Sequence, residues 1–328
     1  MKTLTGISLL MVILLVSLSA YLRLAHSGIG CADWPACYGR IGAPQAELHT
    51  EPGPHNAYQR LLSQNSRSLA WATPLHRLVA SVLGLLIVFL NVVAVRRKAY
   101  RLASLGLLAL TVFLAVLGIY SGSLHDPSVV MGNLAGGFAM LGLLGWMWFR
   151  QLPAPNSPGP ASRRAVPAGL VTAGIVLLSL QILLGGLTSA NFAATACKTL
   201  PDCHGSWWPG EELFKAMDLG RKHEVTGSGQ AIGGKERIAV HQAHRLGAAL
   251  TAITILLAGF LAIRAGGQWL TAGLLVTCLV ILEFSVGVAS VLSGLPIGLA
   301  VAHNWLAGLL LLALLNLLQK SRGALRSG

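Results

Sequence analysis

The chain is predicted to be an all-α integral membrane protein with eight transmembrane helices, arranged as two pseudo-symmetric four-helix bundles. Three observations carry that prediction. Of 328 residues, 54% are hydrophobic and only 11% charged, where a soluble domain carries about 25% charged, and the mean hydropathy is +0.66. Apolar runs of the roughly 20 residues needed to cross a bilayer recur along the chain. Finally, two cysteine loops of one design lie about half a chain apart, Cys31-Ala32-Asp33-Trp34-Pro35-Ala36-Cys37-Tyr38-Gly39 and Cys197-Lys198-Thr199-Leu200-Pro201-Asp202-Cys203-His204-Gly205. A His-Arg-Leu triplet repeats at nearly the same offset, at His76-Arg77-Leu78 and His244-Arg245-Leu246. Repetition at this scale reads as an internal duplication.

The runs cover about 4–25, 73–95, 102–121, 128–149, 166–188, 238–263, 269–293 and 296–318. Backbone groups in lipid must be satisfied within their own segment, so each run is a helix. Lys2 and the small residues near Ala20 also fit a cleaved signal peptide. That run is long for a signal core and leads straight into Arg23 and the first cysteine loop. Between the fourth and fifth runs, Pro153-Ala154-Pro155-Asn156-Ser157-Pro158-Gly159-Pro160 cannot be helical and reads as a cytoplasmic linker over 151–165. It separates an N-terminal half, 1–150, from a C-terminal half, 166–320, with a tail at 321–328. Each half runs helix, outer cysteine loop, then three helices.

The net charge of +13 invites a nucleic-acid partner, but its placement argues against one. Arg96, Arg97, Lys98 and Arg101 lie between the second and third runs, Arg150, Arg163 and Arg164 between the fourth and fifth. Arg264 follows the sixth, and Lys320, Arg322 and Arg326 end the chain. All fall on one side of a membrane when both termini are cytoplasmic, which is the positive-inside pattern. The loops at about 26–72 and 189–237 then face the oxidising side, where disulfides persist, and Cys31–Cys37 and Cys197–Cys203 are the expected pairs. No long presequence precedes the first run, which favours a bacterial inner membrane over an imported organellar protein.

Ionisable residues inside a membrane are costly and point to function. His244 lies about six residues into the sixth run and His303 seven residues after Pro296. At 1.5 Å per residue both sit roughly 9–10 Å below the outer ends of their helices. Two imidazoles at one depth can ligate a haem iron from opposite faces; a hydrogen-bonded polar pair is the plainer reading. Zinc lacks further ligands at this depth. His241 shares a face with His244, but its counterpart in the repeat is Thr73, so it belongs beside the site or at the outer surface. Arg77 and Arg245 either meet anionic groups such as haem propionates or snorkel toward headgroups.

In the first half His76 takes the place of His244, whereas the place of His303 falls near Asn133, a poor iron ligand. The second half can therefore fill both axial positions of a haem. The first offers one histidine and an open face, which suits a substrate. His125 is at the wrong depth, and His26, His49, His55 and His223 are in outer loops. Glu283 either relays protons or stays protonated and hydrogen-bonded, and Cys278 reads as a small apolar residue.

The stretch from Arg23-Leu24-Ala25-His26-Ser27-Gly28-Ile29-Gly30 through the first cysteine loop resembles the first outer-loop signature of haem A synthases. Leu184-Gly185-Gly186-Leu187-Thr188-Ser189-Ala190-Asn191, followed by Cys197, Pro201, Cys203, Gly205 and Trp207-Trp208-Pro209, resembles the second. His241-Gln242-Ala243-His244-Arg245-Leu246-Gly247-Ala248 and the late His303 complete the likeness, which covers nearly the whole chain. The resemblance implies a b-type haem on His244 and His303. It further implies haem O as substrate, taken by the N-terminal half at His76 and oxidised at a ring methyl to a formyl group for terminal oxidases. Haem O synthase and terminal oxidase assembly factors are the implied partners, in surrounding membrane lipid; oligomeric state is left open. Two positions depart from the family pattern, Thr73 for a glutamate and Asn133 for a histidine. A non-catalytic b-type haem protein, acting in electron transfer or haem delivery during oxidase assembly, is the alternative.

Overall fold

A computed structural model describes residues 1–24, 71–120, 127–152, 166–197, 199–205, 207–220 and 234–326. Eight of its helices are long and apolar enough to cross a membrane. They are α1 (Lys2–Leu24), α2 (Ala72–Arg96), α3 (Arg101–Tyr120), α4 (Pro127–Arg150), α5 (Ala168–Ala190), α6 (Lys235–Ala265), α7 (Leu270–Leu292) and α8 (Ile297–Arg326). Each coincides with one expected run. The largest differences are at the start of α6 and the end of α8. There, polar residues such as Lys235, Glu236 and Lys320 prolong a helix past its apolar stretch, since intrahelical hydrogen bonds need no lipid. No strand occurs among the described residues.

In the first half α1 and α3 each pack on α2 and α4; in the second, α5 and α7 each pack on α6 and α8. Each set of four closes a ring in which α2 and α4, or α6 and α8, stand diagonally. The halves meet through α8 against α1 and α4, and α4 against α5. Exchanging the halves leaves every one of these neighbour relations unchanged.

Lipid gives apolar helices no reason to prefer one another, so close packing of small residues supplies the attraction. At the seam, Gly145 of α4 faces Leu312 of α8, and a Cβ on Gly308 of α8 would stand 3.1 Å from Leu141 of α4. Half of the apolar window of α8 is buried against 11% for α3, so α8 is central and α3 faces outward.

The basic ends gather at one end of the bundle. Tyr100 Oη donates to Arg150 O at 3.5 Å, and Gln151 Nε2 donates to Thr5 Oγ1 at 3.1 Å. In the second half Lys320 Nζ donates to Gln268 O at 2.8 Å. Here α6 stops at Gly266, whose φ of 66° a side chain would resist, and a short turn buries Trp269 before α7 begins. Cys197 and Cys203 are joined, with Cα atoms 5.0 Å apart. Cys31–Cys37, residues 153–165 of the linker, and His26, His49, His55, His125 and His223 lie outside the described residues.

Candidate functional site

A cavity of about 1100 Å³ opens inside the second half. Its walls come from α5 to α8, its roof from Leu200, Pro201 and Trp207 of the disulfide loop, and one side from Arg23 of α1 and Phe138 of α4. His244 and His303 both line it. Because α6 and α8 are diagonal, the two rings reach toward each other across the middle. Their centres are 6.5 Å apart and their planes 89° to one another.

Local sequence explains why the rings sit there. Each lies against a glycine of a neighbouring helix. A Cβ on Gly185 of α5 would stand 3.1 Å from His244 Cε1, and one on Gly287 of α7 would stand 3.0 Å from His303 Cε1. Each Nδ1 is also held. Gln181 Nε2 lies 2.8 Å from His244 Nδ1 and donates to His244 O at 2.9 Å. Gly247 makes room for this amide, since a Cβ there would collide with Gln181 Oε1. His303 Nδ1 lies 3.2 Å from Glu283 O and 3.2 Å from Glu283 Oε1. Among the described residues, no hydrogen bond engages Nε2 of either ring.

At His303 that pattern fits a metal-binding imidazole, whose Nδ1–H donates to Glu283 and leaves Nε2 to the metal; at His244 the same arrangement needs the Gln181 amide turned so that its unpartnered Oε1 accepts from Nδ1–H. An imidazole nitrogen sits about 2.0 Å from a bound transition metal, and the ring centre lies roughly 1.1 Å behind it, so two rings facing one metal have centres about 6.2 Å apart. The observed centre separation of 6.5 Å lies close to that spacing. An edge-to-face aromatic pair would allow the same spacing but would not require both Nδ1 atoms to be held. No group of three or more His, Cys, Asp or Glu that could hold a bare ion occurs among the described residues. A macrocycle carrying its own donors would complete a two-imidazole site.

Among the neighbouring residues, His241 takes one of its two expected places and Arg245 takes neither of its own. His241 is not at the outer surface: it is 3% exposed, and its Nδ1 accepts the Cys197 N–H at 3.3 Å. Arg245 lines the cavity, yet its Nη1 donates to Thr199 O at 2.7 Å and Asp202 O at 3.0 Å, and its Nη2 to Cys197 O at 2.7 Å. It straps the disulfide loop over the site. Arg237 does similar work, donating to Phe192 O through Nε at 3.1 Å and through Nη2. In the first half His76 and Asn133 are half-buried on α2 and α4, diagonal helices like those of His244 and His303. Arg77 follows His76 on α2 and is half-buried. The loop at 25–70 lies outside the described residues. Sequence reasoning missed Gln181, and it noticed Glu283 only as a membrane acid; their pairing with the histidines crosses between helices and leaves no local pattern.

Comparison with known proteins adds an independent line. A family model described as cytochrome oxidase assembly protein matches residues 2–315. A heme A synthase of Shewanella oneidensis is 33% identical over 316 residues, covering 95% of this chain and 93% of the relative. A heme A synthase of Granulibacter bethesdensis is 27% identical over 97% of this chain and 86% of its own length, and one of Neorickettsia sennetsu 26% identical over 94% and 95%.

Proposed function

The chain belongs to the cytochrome oxidase assembly protein family as a membrane enzyme of haem A biosynthesis, and we propose that it oxidises a ring methyl of haem O to a formyl group, with haem b resident in its second half. The observation that carries this reading is the pair His244 and His303, 6.5 Å apart across one cavity. With water as oxygen donor, turning a methyl into a formyl group releases four electrons and four protons, so an electron acceptor beyond this chain must take the electrons. When bound, a b-type haem supplies single-electron transfer. His244 and His303 would hold its iron, Gln181 and Glu283 would keep the two rings aimed, and the strapped loop would keep bulk water out. His76 would meet the iron of the substrate haem, with Asn133 on the diagonal helix and Arg77 nearby.

The duplication supports two pseudo-symmetric halves, as do the interchangeable neighbour relations. The gathered basic ends support cytoplasmic termini; in a bacterial inner membrane both cysteine loops would then lie outside, where a Cys31–Cys37 disulfide would persist beside Cys197–Cys203. Haem O synthase and terminal oxidase assembly factors are the partners this role requires. Thr73 and Asn133, standing where the resemblance leads one to expect glutamate and histidine, favour one second reading: a non-catalytic haem b protein in electron transfer or haem delivery. Co-expression with a haem O supply, followed by haem extraction and mass analysis, tests the choice. Haem A arising only with this chain supports the oxidation. Its absence from membranes containing the folded protein supports the second reading.

A further inference from the structure

We infer that Arg23 of α1 and Asn304 of α8 form a carboxylate-binding clamp for an acidic side group of the porphyrin in the second-half cavity, an inference that rests on the haem b reading above. Arg23 belongs to the first half, yet it lines this cavity together with Asn304, the residue after His303. Its Nη2 donates to Asn304 Oδ1 at 3.3 Å. Two donors are left over: Arg23 Nε and Asn304 Nδ2 are both buried and have no hydrogen-bond partner among the described residues. Among the described residues no carboxylate pairs with Arg23.

A guanidinium withdrawn from water without a counter-ion is strongly unfavourable, and buried donors are almost always satisfied. One anionic group in the cavity corrects both defects. A carboxylate fits best, because a planar pair of oxygens matches the guanidinium fork. The other cavity arginines are already engaged: Arg245 holds three loop carbonyls through Nη1 and Nη2, its Nε alone lacking a partner among the described residues, and Arg237 holds Phe192 O. Glu283, the acid of the same cavity, is turned to His303. The clamp lies beside an iron-ligand candidate and is built from both halves. A porphyrin held there would be gripped by α1 as well as by its own bundle.

Haem b and its dimethyl ester separate the carboxylates from everything else about the ligand. The full chain, purified from cells unable to make haem, is titrated with each, and the low-spin absorption is followed. A charge-assisted hydrogen bond of ordinary strength predicts that the wild type prefers haem b by about 10- to 100-fold. Arg23→Gln should lose that preference by weakening haem b alone, with ester binding unchanged, and Arg23→Lys should keep part of it. Asn304→Asp supplies Arg23 with an internal carboxylate, so this variant, which leaves the guanidinium paired, should also lose the preference. A wild type that binds both porphyrins equally in a low-spin form would overturn the clamp while leaving the haem reading intact, as would an Arg23→Gln or Asn304→Asp variant with wild-type preference. Failure of the wild type to give a low-spin form with either porphyrin would overturn both.

Discussion

Gly287→Ala is the sharpest test of how the second-half site is built. The new Cβ would stand 3.0 Å from His303 Cε1 and 3.4 Å from its Nδ1, where carbon atoms prefer about 3.5–4.0 Å. The ring must therefore retreat by roughly half an ångström or more, which reaches the tolerance of about 0.5 Å within which a site geometry has to be held. It is not free to do so, because its Nδ1 is tied to Glu283 at 3.2 Å and His244 stands across the cavity. Overpacking of this kind costs about 1–3 kcal/mol, which corresponds to haem retention about 5- to 150-fold weaker. The helix itself should not suffer, since alanine is the better helix former by about 1 kcal/mol. Gly298→Ala is the control: it lies on α8 as His303 does, and an added Cβ meets nothing within 4 Å. The assay is the ratio of haem to polypeptide, with the low-spin bands, after prolonged dialysis in detergent. If Gly287→Ala kept haem and spectrum as well as Gly298→Ala does, the idea that glycine sets the position of the His303 ring would be refuted. Gly185→Ala, with its 3.1 Å approach to His244, should behave as Gly287→Ala does.

Replacing His244 or His303 by Ala should remove the low-spin spectrum of the purified protein, while His76→Ala should leave it intact and abolish conversion of added haem O; the reverse pattern would put the stable haem in the wrong half. Arg245→Ala releases three carbonyls of the loop, so the Cys197–Cys203 bond should be reduced faster by dithiothreitol than in the wild type, as followed by thiol labelling. Reporter fusions at Arg101 and Gly328 should register the same side of the membrane, since the ends of α2, α4 and α8 carry the basic clusters; opposite results would break the eight-span topology. Glu283→Ala, which removes the side-chain partner of His303 Nδ1, should weaken haem retention by about 10- to 100-fold, the usual cost of losing the partner that orients a metal-binding imidazole.

Element positions were legible because each depends on a local property. An apolar run long enough to cross lipid must be helical whatever it packs against, so α1 to α8 could be placed to within a few residues save at the polar end of α8. His244 and His303 were legible for a related reason: a polar ring inside such a run is costly, and depth along a helix follows from counting residues. His241 was harder to place. Its helical position is readable, but the loop that folds down over it is not, and the Cys197 N–H that it accepts comes from 44 residues earlier in the chain. The fate of Arg245 was hidden by the same loop, which takes up a guanidinium that sequence alone offers equally to a propionate or a headgroup.

The sequence by itself determined the membrane class, the number of spans, the repeated loops and the two histidines, because hydropathy, periodicity and spacing are properties of one segment at a time. Only the tertiary structure decided which side chains serve those histidines. Gln181 and Glu283 meet them from other helices, Gly185 and Gly287 leave room for their rings, and Arg23 crosses from the other half of the molecule. Such contacts depend on the relative rotation and closeness of helices, and these are set by how small and large residues interlock across the whole bundle.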